Sequence, residues 1–310
     1  MSARHEPVLV AEVLHWLRNG PGLYLDATLG DGGHAEALLR AEPTARLLGC
    51  DRDRAALEYA GHRLAAFGDR VSLSHATFAE LPAVLAEHGG EPLAGALFDL
   101  GLSSRQLDDP ARGISFQLEG PLDLRLDPSR GEPAHERLAS VDESELAAVL
   151  REHGDLREAG RLARVIVAAA RNGELAGTRA LRSAVDRALG GRSHPRRYAQ
   201  VFQALRIWVN GEADDLEAAL RWLPDAMRPG GVVVTLAYHS GEDRRIKQAV
   251  RGARSTGIGH RRRPEVVVER PPEGPWEECV RHVVTPSTEE SARNPRARSA
   301  RLRAFRRKST

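Results

Sequence analysis

The chemistry-bearing residues of this chain gather at a few short stretches. The first is Asp26-Ala27-Thr28-Leu29-Gly30-Asp31-Gly32-Gly33-His34-Ala35, which follows an apolar run and opens into a helical pattern. Glycines there let the backbone turn tightly and approach a ligand, and the helix start offers free amides. Gly30-x-Gly32-x-x-Ala35 satisfies the dinucleotide-binding pattern, so the loop alone does not choose between a nicotinamide cofactor and S-adenosylmethionine. Asp26 helps to choose. A carboxylate near the tip of the first strand would repel a pyrophosphate and suit a ligand with an ammonium group and no phosphate, as S-adenosylmethionine is.

Asp51 ends the second apolar run, roughly twenty residues beyond the glycines, where an acid can accept both hydroxyls of a ribose. Asp53 reads more readily as a helix cap. Phe78 follows the third run, in place to lie against an adenine, although a lone Phe is more often core. The fourth run ends in Asp99-Leu100-Gly101-Leu102-Ser103-Ser104, which sets a carboxylate and two hydroxyls at the carboxyl edge of a sheet, where reacting groups collect in open α/β folds. A last cluster, Tyr238-His239-Ser240 with Glu242-Asp243-Arg244 behind it, leaves His239 as a substrate contact or a helix cap.

The elements that must hold these residues alternate as strand and helix through the first hundred positions. Strands are predicted at Leu23–Ala27, Leu47–Asp51, Val71–His75 and Ala94–Leu100, and helices at Val8–Leu17, His34–Ala41, Arg54–Ala66 and Glu80–His88. From Gln106 to Pro133 the chain is rich in Asp, Gly and Pro, and from Ser144 to Asn210 it is helical by period, which predicts a helical insertion. Sheet character returns with a helix at Asp214–Met227, a turn at Pro229-Gly230-Gly231 and a strand at Val232–Ala237. Weaker strand candidates lie at Val266–Val268 and His282–Thr285.

The chain has 310 residues, 41% of them hydrophobic, enough for a proper core. No apolar run approaches the ~20 residues that cross a bilayer, and the start, Met1 to Pro7, lacks a signal core, so the sequence predicts a cytoplasmic protein without membrane contact. Two cysteines, Cys50 and Cys279, support neither a disulfide scaffold nor a Cys-based metal site, and no metal is expected. The net charge of +2 is uneven. Residues 244–310 hold 18 Lys+Arg against 7 Asp+Glu, and the tail from Asn294 carries seven of those cations, a candidate polyanion contact that is either docked or mobile. All but two of the 45 basic residues are Arg, so coding bias explains part of this.

Taken in order, the motifs resemble one family, the bacterial small-subunit (16S) ribosomal RNA (cytosine-N4)-methyltransferases. The resemblance rests on His5-x-Pro7-Val8-Leu9 with Glu12, Asp26 to His34, Asp51-Arg52-Asp53, Asp99 to Ser104 with Gln106-Leu107-Asp108, and Arg112-Gly113-x-Ser115-Phe116. It continues through Gly120-Pro121-Leu122-Asp123-x-Arg125, Arg206-Ile207-x-Val209-Asn210-x-Glu212, His239-Ser240-x-Glu242-Asp243-Arg244 and Asn294-Pro295-Arg296-x-Arg298-Ser299. Asp31, Ala35, Tyr238 and Gly241 depart mildly from the family pattern.

The resemblance implies a class I S-adenosylmethionine-dependent methyltransferase: a Rossmann-like α/β sheet over 1–105 and 206–310, with an all-helical substrate-recognition domain inserted over 106–205. It implies cofactor contacts at Gly32, Gly33, His34, Asp51, Phe78, Asp99 and Gln106, and small-subunit rRNA as the partner. Asp99, then His239, are the candidate catalytic acceptors, and Ser103, Ser104 and Asn210 candidate substrate contacts. A nicotinamide-dependent dehydrogenase and a non-catalytic RNA-binding assembly factor on the same fold stay open, as does a homodimer.

Overall fold

The computed structural model describes residues 7–251 and 274–309. Within them the chain divides into two compact units, one of residues 7–51, 55–101, 216–251 and 274–309, the other of residues 52–54 and 102–215. The motif residue His5 and the strand candidate Val266–Val268 lie outside the described residues.

The first unit is built on β1 (Gly22–Asp26), β2 (Ala45–Asp51), β3 (Val71–His75), β4 (Leu93–Asp99), β5 (Met227–Ala237), β6 (Trp276–Glu278) and β7 (Arg301–Arg307), in the spatial order β3-β2-β1-β4-β5-β7-β6. β1 to β5 run parallel, and β7 is antiparallel to both its neighbours. This is a class I methyltransferase sheet. Its strand order reverses between β1 and β4, and ligands of open α/β sheets bind outside the carboxyl ends of the strands at such a point.

Strand periodicity sorts the side chains onto two faces. Leu23, Leu25, Leu48, Cys50, Ala96, Phe98 and Val233 share one core with α4 (Leu81–Glu87), α11 (Glu212–Ala226) and α12 (Ser240–Arg251). Tyr24, Leu47, Leu97, Val232, Val234 and Leu236 share the other with α1 (Val10–Leu17), α2 (Gly33–Ala41) and α3 (Arg54–Leu64). α11 illustrates why these helices form: Leu216, Ala219, Leu220 and Leu223 recur at helical spacing and are all buried, while Glu212, Asp214 and Asp215 favour its N-terminus. A short helix, α13 (Thr288–Arg293), sends Glu290 Oε1 to accept the Leu9 amide at 2.7 Å.

One expectation is resolved and two change. The tail from Asn294 is docked, because its residues 301–307 are strand β7, with Leu302 and Ala304 buried in one core and Phe305 in the other. Pro229-Gly230-Gly231 is not a turn before a strand but a bulge within β5: Leu93 pairs with Met227 and Gly95 with Val232, and Gly230 takes φ +78° to absorb the extra residues. His282–Thr285 forms no strand and contributes one bridge, Val284 to Leu302.

The second unit is helical, with α5 (Ser104–Asp108), α6 (Ala134–Ser140), α7 (Glu143–Gly154), α8 (Ala159–Arg171), α9 (Thr178–Leu189) and α10 (Pro195–Asn210). Leu146 and Leu150, Leu162 and Ile166, Leu181 and Val185, and Val201 and Leu205 each stack one turn apart and close a single core. Phe116 lies 5.9 Å from Tyr198 and 6.2 Å from Phe202 by ring centroids, pinning the irregular segment after α5 to α10. Two glycines of that segment are required: a Cβ would sit 1.8 Å from the Pro121 carbonyl at Gly113 and 1.8 Å from the Pro110 carbonyl at Gly120.

Candidate cofactor and active site

β1 ends at Asp26 and the chain turns through the glycines into α2. Gly30 and Gly32 hold φ of +52° and +74°, and the Gly30 amide donates to Asp51 Oδ2 at 2.8 Å, which ties the tip of β2 to the turn. Gly32 caps α2 with no side chain of its own, so the helix start is left open to a ligand. Pro7 packs against Gly33 so closely that a Cβ there would lie 2.3 Å from the Pro7 ring. That contact gives the Pro7 motif a physical role.

The turn and the neighbouring strand tips bring Asp26, His34, Asp51 and Asp99 into one unit. Asp26 is buried and accepts the Thr28 amide at 3.2 Å. Burial pushes its carboxyl up to about 7, against the opposing pull of His34. Asp99 is held from both ends: its amide donates to Thr28 Oγ1 at 2.6 Å, and its Oδ1 accepts the Tyr238 hydroxyl at 2.8 Å. Its Oδ2 lies 3.4 Å from His34 Nε2. That approach is not aligned as a hydrogen bond, and both ring nitrogens of buried His34 lack a hydrogen-bond partner among the described residues.

Buried polar atoms are rarely left unpaired, which makes His34 a candidate ligand contact. Asp26, Asp51 and Asp99, with an orphaned imidazole between them, fit S-adenosylmethionine. Its ammonium, ribose diol and sulfonium centre all favour carboxylates, whereas a pyrophosphate would face three carboxyl groups. Phe78 opens a short helical turn after β3 and meets Phe98 edge-on at 5.4 Å, half-buried, with a flank available to an adenine.

Tyr238 is the functional residue that sequence reasoning missed. Its hydroxyl anchors Asp99 across 139 positions of chain, and burial, then the Asp99 charge, raises its pKa far above the ordinary phenol, so it stays a neutral donor. His239 changes role. Its Nδ1 accepts the amides of Gly241 and Glu242 at 3.2 and 3.4 Å, and its Nε2 meets Glu242 Oε1 at 3.0 Å. With both nitrogens engaged, His239 caps the start of α12.

In the second unit the expected contacts have structural work. Ser103 and Gln106 form a reciprocal cap on α5, with the Ser103 amide donating to Gln106 Oε1 at 3.0 Å and the Gln106 amide to Ser103 Oγ at 3.2 Å. Gln106 Nε2 also donates to Asp53 Oδ2 at 3.1 Å, and Arg112 donates to the other Asp53 oxygen at 2.9 Å. The Gln106 side chain therefore keeps one N–H for any cofactor contact. Ser104 is the first residue of α5 and half-buried. Asn210 spends both amide protons on the carbonyls of Leu124 and Arg206, and its oxygen accepts the Leu126 amide, each at 2.8 Å. It clamps a loop in which Leu124 is held at φ +65°.

Known proteins bear on this arrangement. Proteins called ribosomal RNA small subunit methyltransferase H are similar to this chain throughout. That of Sorangium cellulosum is 46% identical, covering 98% of this chain and 91% of its own length. Those of Syntrophotalea carbinolica and Thermomicrobium roseum are 43% and 41% identical over 98% of this chain, and 98% and 94% of their own. Among solved structures, an rRNA methylase from Streptococcus thermophilus aligns over 97% of this chain and 94% of its own, at 11% identity and a TM-score of 0.41. The pattern that defines the MraW methylase family runs through residues 2–308, and with relatives this similar over nearly their whole length, the chain belongs to that family.

Proposed function

We propose that this protein transfers a methyl group from S-adenosylmethionine to the exocyclic N4 of a cytidine in small-subunit (16S) rRNA. The observation that carries the reading is Asp99, a carboxylate at the tip of β4 fixed by Tyr238 and Thr28 beside the glycine turn. S-adenosylmethionine supplies, when bound, an electrophilic sulfonium methyl. What remains difficult is the nucleophile, since the cytosine amino lone pair is delocalised into the ring.

Asp99 accepts a hydrogen bond from the amino group and turns its lone pair out of the ring plane. Correct placement of the reacting atoms, ~3–3.5 Å apart and in line, supplies most of the remaining acceleration. Tyr238, donating to Oδ1, keeps the carboxylate from rotating and leaves its other lone pairs for the amine. The amine gives up its proton as the new bond forms, so Asp99 serves without being a strong base. Asp26 meets the cofactor ammonium, Asp51 the ribose hydroxyls, and Phe78 the adenine. Gly32, Gly33 and His34 line the turn beneath it.

The target base must leave its stack to reach such a site, and the helical unit, residues 106–205, is the substrate-recognition element in this reading. The protein acts where ribosomal subunits are, in the cytoplasm. Among the described residues no helix is long and apolar enough to cross a membrane. The reading is tested by nucleoside analysis of small-subunit rRNA from cells with and without this chain. N4-methylcytidine should vanish with the protein, return with the wild type, and fail to return with Asp99→Asn. Its persistence without the protein would refute the proposal.

A further inference from the structure

The cations of the basic tail divide into those spent inside the fold and those left over. Arg303 is largely buried and donates to Asp243 Oδ1 at 2.7 Å, and Arg307 donates to the Pro224 carbonyl at 2.9 Å. Burial alone would raise the Asp243 carboxyl, but hydrogen bonds from Arg303 and Lys247 outweigh it and hold the group below the ordinary carboxylate range. Arg301 reaches the same carboxylate only at 3.6 Å and is half exposed. Arg298 is exposed, with no hydrogen bond or ion pair to any described residue.

Arg298 and Arg301 line a cavity of about 280 Å³ together with Tyr238, Ser240, Thr285 and Ser299. At about 30 Å³ per water the space holds a phosphate group with part of its hydration. Its lining offers guanidinium forks and hydroxyls, the donor set that recognises tetrahedral oxyanions. The start of α12 adds nothing to it, because His239 Nδ1 already takes the Gly241 and Glu242 amides. Tyr238 forms one wall, and its hydroxyl is the group that holds Asp99. The cavity is therefore one tyrosine side chain away from the carboxylate that receives the target amine.

We propose that this cavity seats a phosphodiester of the substrate RNA next to the target cytidine, with Arg298 and Arg301 as its clamp. The assignment rests on the reading of the chain as an rRNA methyltransferase. Phosphate contacts fix register rather than sequence, so the clamp holds the extruded nucleotide at a set distance from Asp99. It also singles out two of the seven tail cations as RNA contacts.

The test uses the full-length protein, its Arg298→Ala and Arg301→Ala variants, the double variant and Arg298→Lys, with small subunits from cells lacking the protein as the probe. Each alanine variant should weaken subunit binding about tenfold, as loss of a charge-assisted hydrogen bond does. S-adenosylmethionine affinity and melting temperature should hold. The double variant should flatten the slope of log K against log salt by about 0.7–0.9, the value of one neutralised phosphate, and Arg298→Lys should keep the wild-type slope. An unchanged affinity and slope in the double variant, with methylation intact, overturns the clamp and leaves the function standing. Loss of S-adenosylmethionine affinity in place of subunit affinity also overturns it, since the cavity would then take the cofactor carboxylate. A wild type that binds subunits but transfers no methyl removes the functional reading, and the salt slopes still decide the clamp.

Discussion

Asp26→Asn should make the protein more stable and worse at binding its cofactor, and both effects should depend on pH. Burial raises the Asp26 carboxyl from 3.8 to about 7. Between those values the folded state holds a proton that the unfolded state has released, so stability falls as pH rises through that window and levels off above about 7. At ~1.4 kcal/mol per pH unit, the ionised side chain costs the ligand-free protein on the order of 4 kcal/mol at pH 8. An asparagine removes the charge and still accepts the Thr28 amide. Its own amide protons are left in a buried site at a cost of about 1–3 kcal/mol, so the net gain is roughly 1–3 kcal/mol.

Chemical denaturation of wild type and variant from pH 4.5 to 8.5 should therefore give curves that cross, with the variant level with or below the wild type at the acid end and above it by pH 8. S-adenosylmethionine binding should run the other way. In the wild type it should release a proton near pH 6 and weaken about tenfold per pH unit below 7. In the variant it should be roughly ten- to a hundredfold weaker at pH 8, for want of a charged partner to the ammonium, and flat with pH. Parallel stability curves, or a variant that binds the cofactor as well as the wild type at pH 8, would refute the assignment of Asp26.

Asp99→Asn should lower the single-turnover rate far more than it lowers cofactor affinity, because the amide keeps the size but not the acceptor; equal losses would reduce Asp99 to a binding residue. Tyr238→Phe, which removes one hydrogen bond to Asp99 Oδ1, should cut the rate about tenfold with cofactor affinity within about twofold, and an unchanged rate would mean the carboxylate needs no anchor. Deleting the chain after Asn294 removes β7, which pairs with both β5 and β6, so the truncated protein should lose its cooperative melt; a folded product that still binds S-adenosylmethionine would show that the strand is dispensable.

What was legible in the sequence is what periodicity and local chemistry encode. The glycine turn, Asp51 and Asp99 could be read because each follows an apolar run of strand length, and the carboxyl edge of such a sheet collects ligands. β7 could not, since Arg301, Arg303, Arg306 and Arg307 mask the alternation of Leu302, Ala304 and Phe305. Only the fold reveals that Arg303 is neutralised by Asp243. The bulge in β5 looked like a turn because Pro229-Gly230-Gly231 has turn composition, and pairing with β4 decides otherwise. Tyr238, His239, Gln106 and Asn210 share one difficulty. Their side chains bond partners set by tertiary structure, so the motif marks each position as special without saying whether it touches a ligand, a helix end or a loop.

That Asp99 presents a cytosine amine to the sulfonium methyl can be tested with S-adenosylmethionine carrying a deuterated methyl group. Small subunits from cells lacking the protein are incubated with wild type and with Asp99→Asn, and the digested rRNA is read by mass spectrometry against authentic N4- and C5-methylcytidine. The account predicts the heavy methyl on N4 with the wild type and its near absence with Asp99→Asn at saturating cofactor. A heavy methyl on ring carbon, or on N4 to the same extent with Asp99→Asn, would contradict it.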